Sequence, residues 1–290
     1  MTELYGAIEA GGTKFAVAVG YKNGEILKRG TIKTTTPEDT MAQVFDFFDQ
    51  YQDDIISFGI GSFGPIGVNE KLENYGYITD TPKVAWQNYN FIGDMKVHYD
   101  VPMLWTTDVN VAAYGEHILG AGQNFDNVFY TTIGTGVGSG VITRGEVYNG
   151  RAHPETGHLM MRRHPEDNFE GTCPFHKDCL EGLACGPAIE ARWGEKAYDL
   201  NENHKAWEFE AYYLAQAALD FTLTFSPDIM IFGGGVSKQE HLMDMIRDEF
   251  AKMMNGYITL PDLKDYIVPV SLGDDAGIIG SLLLAEKVAR

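Results

Sequence analysis

The chain has 290 residues, of which 44% are hydrophobic, enough apolar material for two ordinary cores and far too much for a disordered or fibrous protein. Its 41 acidic against 22 basic residues give a formal charge of -19, which leaves no basic surface to neutralise a phosphate backbone and argues against a nucleic-acid partner. No apolar run approaches the ~18 residues of a membrane span, Met1-Thr2-Glu3 lacks the basic segment of a secretory signal, and three cysteines confined between Cys173 and Cys185 do not resemble a disulfide framework; the expectation is a cytoplasmic protein with no membrane partner.

Strand signals open the chain. Leu4-Tyr5-Gly6-Ala7-Ile8 and Phe15-Ala16-Val17-Ala18-Val19 flank Glu9-Ala10-Gly11-Gly12-Thr13-Lys14, which reads as strand, glycine turn, strand. The turn Tyr21-Lys22-Asn23-Gly24 leads to a third strand near 25–31 and completes an antiparallel meander. Thr36 as N-cap, Pro37 at the first helical position and acids in the first turn start a helix whose apolar stripe is Met41, Val44, Phe45 and Phe48. A buried strand near 55–60 runs into Ser62-Phe63-Gly64-Pro65-Ile66, and an apolar strand near 101–105 precedes Asp108 and a helix beginning near Val109.

The pattern then starts again. A strand over 128–133, the glycine turn 134–140, a strand over 141–143 and a further turn and strand to 148 repeat the opening meander. A long helix over 206–225, a strand over 229–232 ending in Gly233-Gly234-Gly235, a helix near 238–254, a strand over 267–272 and a last helix near 276–289 follow. The reading is two lobes, 1–115 and 116–274, with the terminal helix 275–290 packing on the first and a central cleft as the natural place for a ligand.

Glycine turns at the start of each lobe let backbone N–H groups approach polyphosphate without a β-carbon in the way. Either turn alone is also what an ordinary hairpin gives, and the first lacks the spacing of a Walker A loop; the two together, with Gly233-Gly234-Gly235-Val236-Ser237 after a third strand, favour a nucleotide. Asp108 lies at a strand's C-terminal end, where α/β proteins place ligands and where a phosphoryl-transfer enzyme needs a carboxylate to take the acceptor's proton. On spacing alone it is equally a helix N-cap. Cys173, His176 and Cys179 form a C-x-x-H-x-x-C array that His158 could complete as a closed tetrahedral zinc site. The alternative is a pair of buried free thiols with incidental histidines, and Cys185 is left to pack as a small apolar residue.

Glu9-Ala10-Gly11-Gly12-Thr13-Lys14, Thr107-Asp108-Val109-Asn110-Val111-Ala112-Ala113, Gly134-Thr135-Gly136-Val137-Gly138 and Glu155-Thr156-Gly157-His158 with its Cys/His cluster occur in the order seen in the ROK family of sugar kinases, and look most like its bacterial fructokinase branch. The resemblance spans nearly the whole chain. It implies an α/β, duplicated ribonuclease-H-like (actin-like ATPase) fold, with ATP and a hexose meeting between the lobes, and a homodimer. It implies Asp108 as catalytic base, and Gly64, Asn110, Glu155, His158 and Glu181 as sugar contacts. Gly11, Gly12, Thr13, Lys14, Thr135 and Gly136 would meet the phosphates, with Lys14 equally well simply solvated. Pro187, Gly233, Gly234, Gly235, Val236 and Ser237 would border the adenosine. Glu9 stands where the family commonly has aspartate, as a water-mediated magnesium contact or a polar strand terminus, and Thr107 replaces an asparagine. The array His158, Cys173, His176, Cys179, within the loop 153–185, departs from the family's C-x-C-G-x-x-G-C, with His176 in place of one thiolate.

The expected reaction is ATP-dependent phosphorylation of a hexose, with fructose to fructose 6-phosphate first, on the look of the opening motif and the histidine-containing metal array. Mannose, glucose and N-acetylmannosamine kinases share the same motif set. A noncatalytic sugar sensor is the alternative of a different class, and the family's repressors are disfavoured because the acidic chain begins directly with its first strand.

Overall fold

A computed structural model describes residues 3–290. The chain divides into two compact units: the described residues up to Gly120 with Val147–Pro154 and Asp274–Arg290, and Ala121–Glu146 with Glu155–Gly273.

The first unit is built on strands β1 (Leu4–Ala10), β2 (Lys14–Gly20), β3 (Ile26–Lys33), β4 (Ile55–Ser62) and β7 (Met103–Thr107), in the order β3-β2-β1-β4-β7. β1, β2 and β3 form the antiparallel meander, and β1, β4 and β7 run parallel. Both faces of β1 and β2 are buried, and their side chains alternate by size, since a strand's neighbours point to opposite faces. Ile8, Phe15, Val17, Val19, Phe58 and Ile60 enter a large core beneath helix α1 (Pro37–Phe48) and helix α2 (Phe91–His98). Ala7, Ala16 and Ala18 meet the C-terminal helix Ala276–Ala289 on the other face. Thr36 caps α1 by accepting from Asp39 N at 3.3 Å. A small hairpin, β5 (Tyr77–Ile78) and β6 (Tyr89–Asn90), leads into α2.

Small residues set how closely the C-terminal helix lies. A β-carbon at Gly59 of β4 would collide with the Ser281 carbonyl, and one at Gly280 would collide with the carbonyl of Val111 in α3 (Asp108–Leu119). The Ser57 hydroxyl donates to the Ala285 carbonyl at 2.7 Å, tying the buried helix to the sheet. β4, α3 and the terminal helix are therefore locked together, which fixes where the first residue of α3 sits.

The second unit repeats the plan with β8 (Val128–Ile133), β9 (Val137–Thr143), β10 (Glu146–Val147), β11 (Ile229–Gly233) and β12 (Ile267–Pro269), in the order β10-β9-β8-β11-β12. Its helices are α4 (Leu180–Ala184), α5 (Gly186–Trp193), α6 (Ala206–Phe225), α7 (Glu240–Met254) and α8 (Leu263–Tyr266). Their core includes Trp207, Phe250 and Phe129, the last stacked on Phe221 with centroids 4.1 Å apart. The sequence reading lacks α4, α5 and α8, and other elements differ in extent. β9 begins at Val137, so the expected seven-residue glycine turn shrinks to 134–136; α7 begins at Glu240 after a 3-10 turn, Val236–Lys238; β12 stops at Pro269, with a last bond from Val270 N to Phe232 O at 2.9 Å. Among the described residues no helix is long and apolar enough to cross a membrane.

Candidate active site and metal centre

The parallel strands of the first unit end level with one another. Glu9 pairs with Gly61, Gly61 with Thr106, and Ser62 with Thr107, so Glu9, the Ser62-Phe63-Gly64 turn and Asp108 share one edge of the sheet. Glu9 lies on the face covered by the C-terminal helix; a β-carbon at Gly277, in that helix's first turn, would sit only 2.5 Å from Glu9 Oε1. Burial, and secondarily the charge of Asp108, pushes the Glu9 carboxyl up to about 7. Asp108 is raised to about 6 by burial, opposed by hydrogen bonds from backbone N–H groups, one of them from Val109 N at 2.9 Å.

Asp108 is not the helix cap. That role falls to Thr107, whose hydroxyl accepts from Asn110 N at 3.2 Å, while Asp108 is the first residue of α3. The alternative structural role weighed for Asp108 is thus taken by its neighbour, and threonine replaces asparagine at 107 without loss of a capping group. Asn110, fully buried, donates from Nδ2 to Thr106 Oγ1 at 2.9 Å and to Asn149 Oδ1 at 3.2 Å, but its own Oδ1 is buried without a hydrogen-bond partner. Buried acceptors are rarely left unpaired, so this atom awaits a donor.

Asn149 belongs to the segment Val147–Pro154, which returns to the first unit and also places His153 Nε2 3.2 Å from Ile66 N, beside Gly64. Neither residue was marked by any motif; only the path of the chain brings them here. At the β1–β2 turn, Gly11 N donates to Lys14 O at 3.0 Å, and Thr34 braces it through Gly11 O at 2.8 Å and Thr13 O at 3.1 Å. The Thr13 and Lys14 side chains are exposed.

In the second unit the sequence-selected glycines converge. The turn Gly134-Thr135-Gly136 closes by Gly134 N to Gly136 O at 2.9 Å, and Gly134 O accepts from Gly186 N at 2.8 Å, which brings Pro187 and the start of α5 against it. Gly234 adopts φ +88, and a β-carbon there would collide with the Ile133 carbonyl, so the Gly233-Gly234-Gly235 loop lies directly on the end of β8. Ser237 Oγ donates to Gly233 O at 2.7 Å and holds that loop, with Val236 buried beneath. Thr135, Gly235 and Pro187 remain exposed. Glu181, in α4, accepts from Val137 N at 3.0 Å through one oxygen of its carboxylate.

The loop before α4 forms a second centre. His158 Nδ1 lies 3.5 Å from Cys179 Sγ and 3.7 Å from Cys173 Sγ, and His176 Nδ1 lies 3.8 Å from Cys173 Sγ. The ligand atoms of all four residues fall within 4.8 Å of one another. Zinc bonds of ~2.3 Å to sulfur and ~2.0 Å to nitrogen, at tetrahedral angles, require nitrogen–sulfur separations of about 3.5 Å. The donor set and its spacing fit that ion. Glu155 sits exposed at the head of the 3-10 turn Thr156–His158, and Thr156 Oγ1 is 2.6 Å from Ser139 Oγ of β9, anchoring the turn to the sheet. Cys185 lies outside the cluster, buried, its thiol pushed up to about 11 by burial.

Two α/β units with the same strand order, each presenting its glycine turns and polar groups at the C-terminal ends of parallel strands, define the duplicated ribonuclease-H-like fold of the actin-like ATPases. The chain belongs to the ROK family, whose model matches residues 5–288. It is 50% identical over 287 residues to a fructokinase of Pediococcus pentosaceus, covering 99% of each chain. It is 46% identical over 293 residues to a fructokinase of Streptococcus mutans, covering 100% of this chain and 99% of that one. Among solved structures, the ROK hexokinase of Thermus thermophilus has the same fold, with a TM-score of 0.78 at 24% identity over 99% of this chain and 98% of that one.

Proposed function

We propose that the chain is an ATP-dependent hexose kinase and that fructose, phosphorylated to fructose 6-phosphate, is its substrate. The observation that carries the chemistry is Asp108: a carboxylate on the first turn of α3, at the level where β1, β4 and β7 end, with burial holding it at about 6. A base of that strength is ionised at neutral pH and still basic enough to take the proton of a hydroxyl as its oxygen bonds to phosphorus. Full-length identity of 50% to a fructokinase supports fructose over other hexoses.

The remaining residues take the parts their positions allow. Asn110 Oδ1, buried and unpaired, accepts a hydrogen bond from a sugar hydroxyl. Glu155, His158 and Glu181 receive further hydroxyls, and Gly64 lets the backbone approach the ring. Backbone N–H groups and hydroxyls at Gly12, Thr13, Thr135 and Gly136 hold the phosphates, with Gly11, whose N–H closes the turn onto Lys14 O, shaping the first of these contacts, while Pro187 and the 233–237 loop flank the adenosine. Magnesium would accompany ATP as a charge neutraliser, with Glu9 reaching it through water; two desolvated carboxylates whose charges oppose each other are a surface that a cation relieves. His158, Cys173, His176 and Cys179 would hold one zinc ion as a structural clamp that fixes the turn bearing Glu155.

The test is ADP release with Mg-ATP and fructose, mannose, glucose, N-acetylmannosamine or no sugar. Turnover that depends on sugar and is strongest with fructose is the expected result. Turnover strongest with another hexose overturns the substrate, and sugar binding without turnover in folded, metal-loaded protein favours the noncatalytic sensor.

A further inference from the structure

The acidic chain leaves few cations near its first glycine turn. Lys14 and its cross-strand partner Lys33 are both exposed, and Arg29 is already paired with Asp275 at 2.5 Å. One other cation reaches the turn from a distant part of the sequence. A β-carbon at Gly12 would lie 2.8 Å from Lys83 Cε and 3.8 Å from Lys83 Nζ; the stem of this half-buried lysine therefore runs across the face of Gly12, and its ammonium ends beside the turn. That ammonium has no hydrogen-bond or ion-pair partner among the described residues.

The loop carrying Lys83 is held in place rather than loosely draped. Lys83 N donates to Thr81 Oγ1 at 3.3 Å, and its carbonyl accepts from Trp86 N at 2.8 Å. Trp86 is 1% exposed, packed against Phe15 and Phe63 with ring centroids 5.4 and 5.8 Å away, and its indole N–H donates to Thr35 O at 2.7 Å. The adjacent Thr34 braces the glycine turn itself, through Gly11 O and Thr13 O. Consecutive residues at the end of β3 thus tie the lysine loop and the phosphate turn to one support.

We infer that Lys83 is a further catalytic residue: its ammonium contacts the oxygens of the phosphoryl group in transit at the Gly11-Gly12 turn and balances their charge. The inference rests on the kinase reading. Glycine at position 12 leaves the end of the lysine its present path, since a β-carbon there would meet only Lys83. A pre-positioned cation facing developing negative charge lowers the barrier without rearrangement.

Lys83→Met and Lys83→Arg, in the full metal-loaded chain, separate this role from a structural one. Lys83→Met is expected to lower kcat by about 10²–10³ with the affinity for fructose unchanged and the melting temperature preserved, and Lys83→Arg to restore part of the rate. By calorimetry, Lys83→Met binds fructose 6-phosphate at least about tenfold more weakly, from loss of a charge-assisted contact. Unchanged kcat and product affinity in Lys83→Met overturn the assignment, as does a joint fall of kcat, fructose affinity and melting temperature that arginine does not repair. If the unmodified protein turns over no sugar, the kinase reading falls by itself; calorimetry with inorganic phosphate then decides the lysine, since equal binding by the unmodified protein and Lys83→Met contradicts it and weaker binding by the variant supports it.

Discussion

The two sheets share a strand order but not a chemistry. At the strand ends of the first unit stand two carboxylates, Glu9 and Asp108, both raised above the ordinary carboxylate range by burial. The corresponding ends in the second unit carry glycines: Gly134 and Gly136 after β8, and Gly233 to Gly235 after β11. On the proposed reading, the same backbone edge suits acid–base work where it bears the desolvated carboxylates Glu9 and Asp108, and close approach of a phosphate or nucleotide where it bears glycines. Parallel strands supply the edge; side-chain identity decides its use.

The largest effect on the second unit should come from its metal cluster. Cys179→Ser, or extraction by a strong chelator, removes a ligand from a closed four-ligand site and is expected to cost on the order of 4 kcal/mol or more of stability. Elemental analysis should find about one zinc per chain before treatment, and a metal-free protein that melts unchanged would leave the cluster as buried thiols. Next in size is Gly234→Ala, which places a β-carbon on the Ile133 carbonyl at φ +88, a strain of about 1–3 kcal/mol. The KM for ATP should rise about tenfold with fructose affinity intact; a parallel loss of fructose affinity would show that the edges are not separable.

Legibility followed locality. Glycine turns, the Thr36 cap and the Cys-x-x-His-x-x-Cys spacing are written in adjacent residues and could be read directly, and the side chains of His158, Cys173, His176 and Cys179 come together in space. The two carboxylates could each be named, but not their common environment, because the register of β1, β4 and β7 and the cover of Gly277 come from residues far apart in sequence. Asn149, His153 and Lys83 carry no motif, and their placement depends on the chain's route. The second core hides still more: Glu210 is fully buried with neither oxygen hydrogen-bonded, and burial pushes its carboxyl well above the usual range against the charge of Arg192, while Asp167 accepts from Arg192 at 3.1 Å and Tyr213 at 2.6 Å. Nothing in the periodicity of α6 distinguishes Glu210 from an exposed glutamate.

Two smaller effects sharpen the first unit's side of the comparison. With Asp108 as base, kcat/KM for sugar should fall tenfold per pH unit below about 6; a rate constant down to pH 5 would remove it from that role. The smallest effect concerns stability. A carboxyl whose folded pKa is raised binds its proton more tightly in the native state, so its contribution to stability is greatest below the ordinary value of 3.8 and is lost as pH rises through about 6. Asp108→Asn should therefore stabilise the free protein by about 1–2 kcal/mol at pH 8, with the gain disappearing near pH 4, as followed by thermal melting at both pH values.

The most direct test of the central claim is turnover and fructose binding measured on the same preparation of Asp108→Asn. Loss of the catalytic rate by about 10³ or more, with fructose bound as tightly as by the unmodified protein, is the predicted result. Retained turnover, or loss of binding and folding together, would contradict the assignment of Asp108 as the group that takes the sugar's proton.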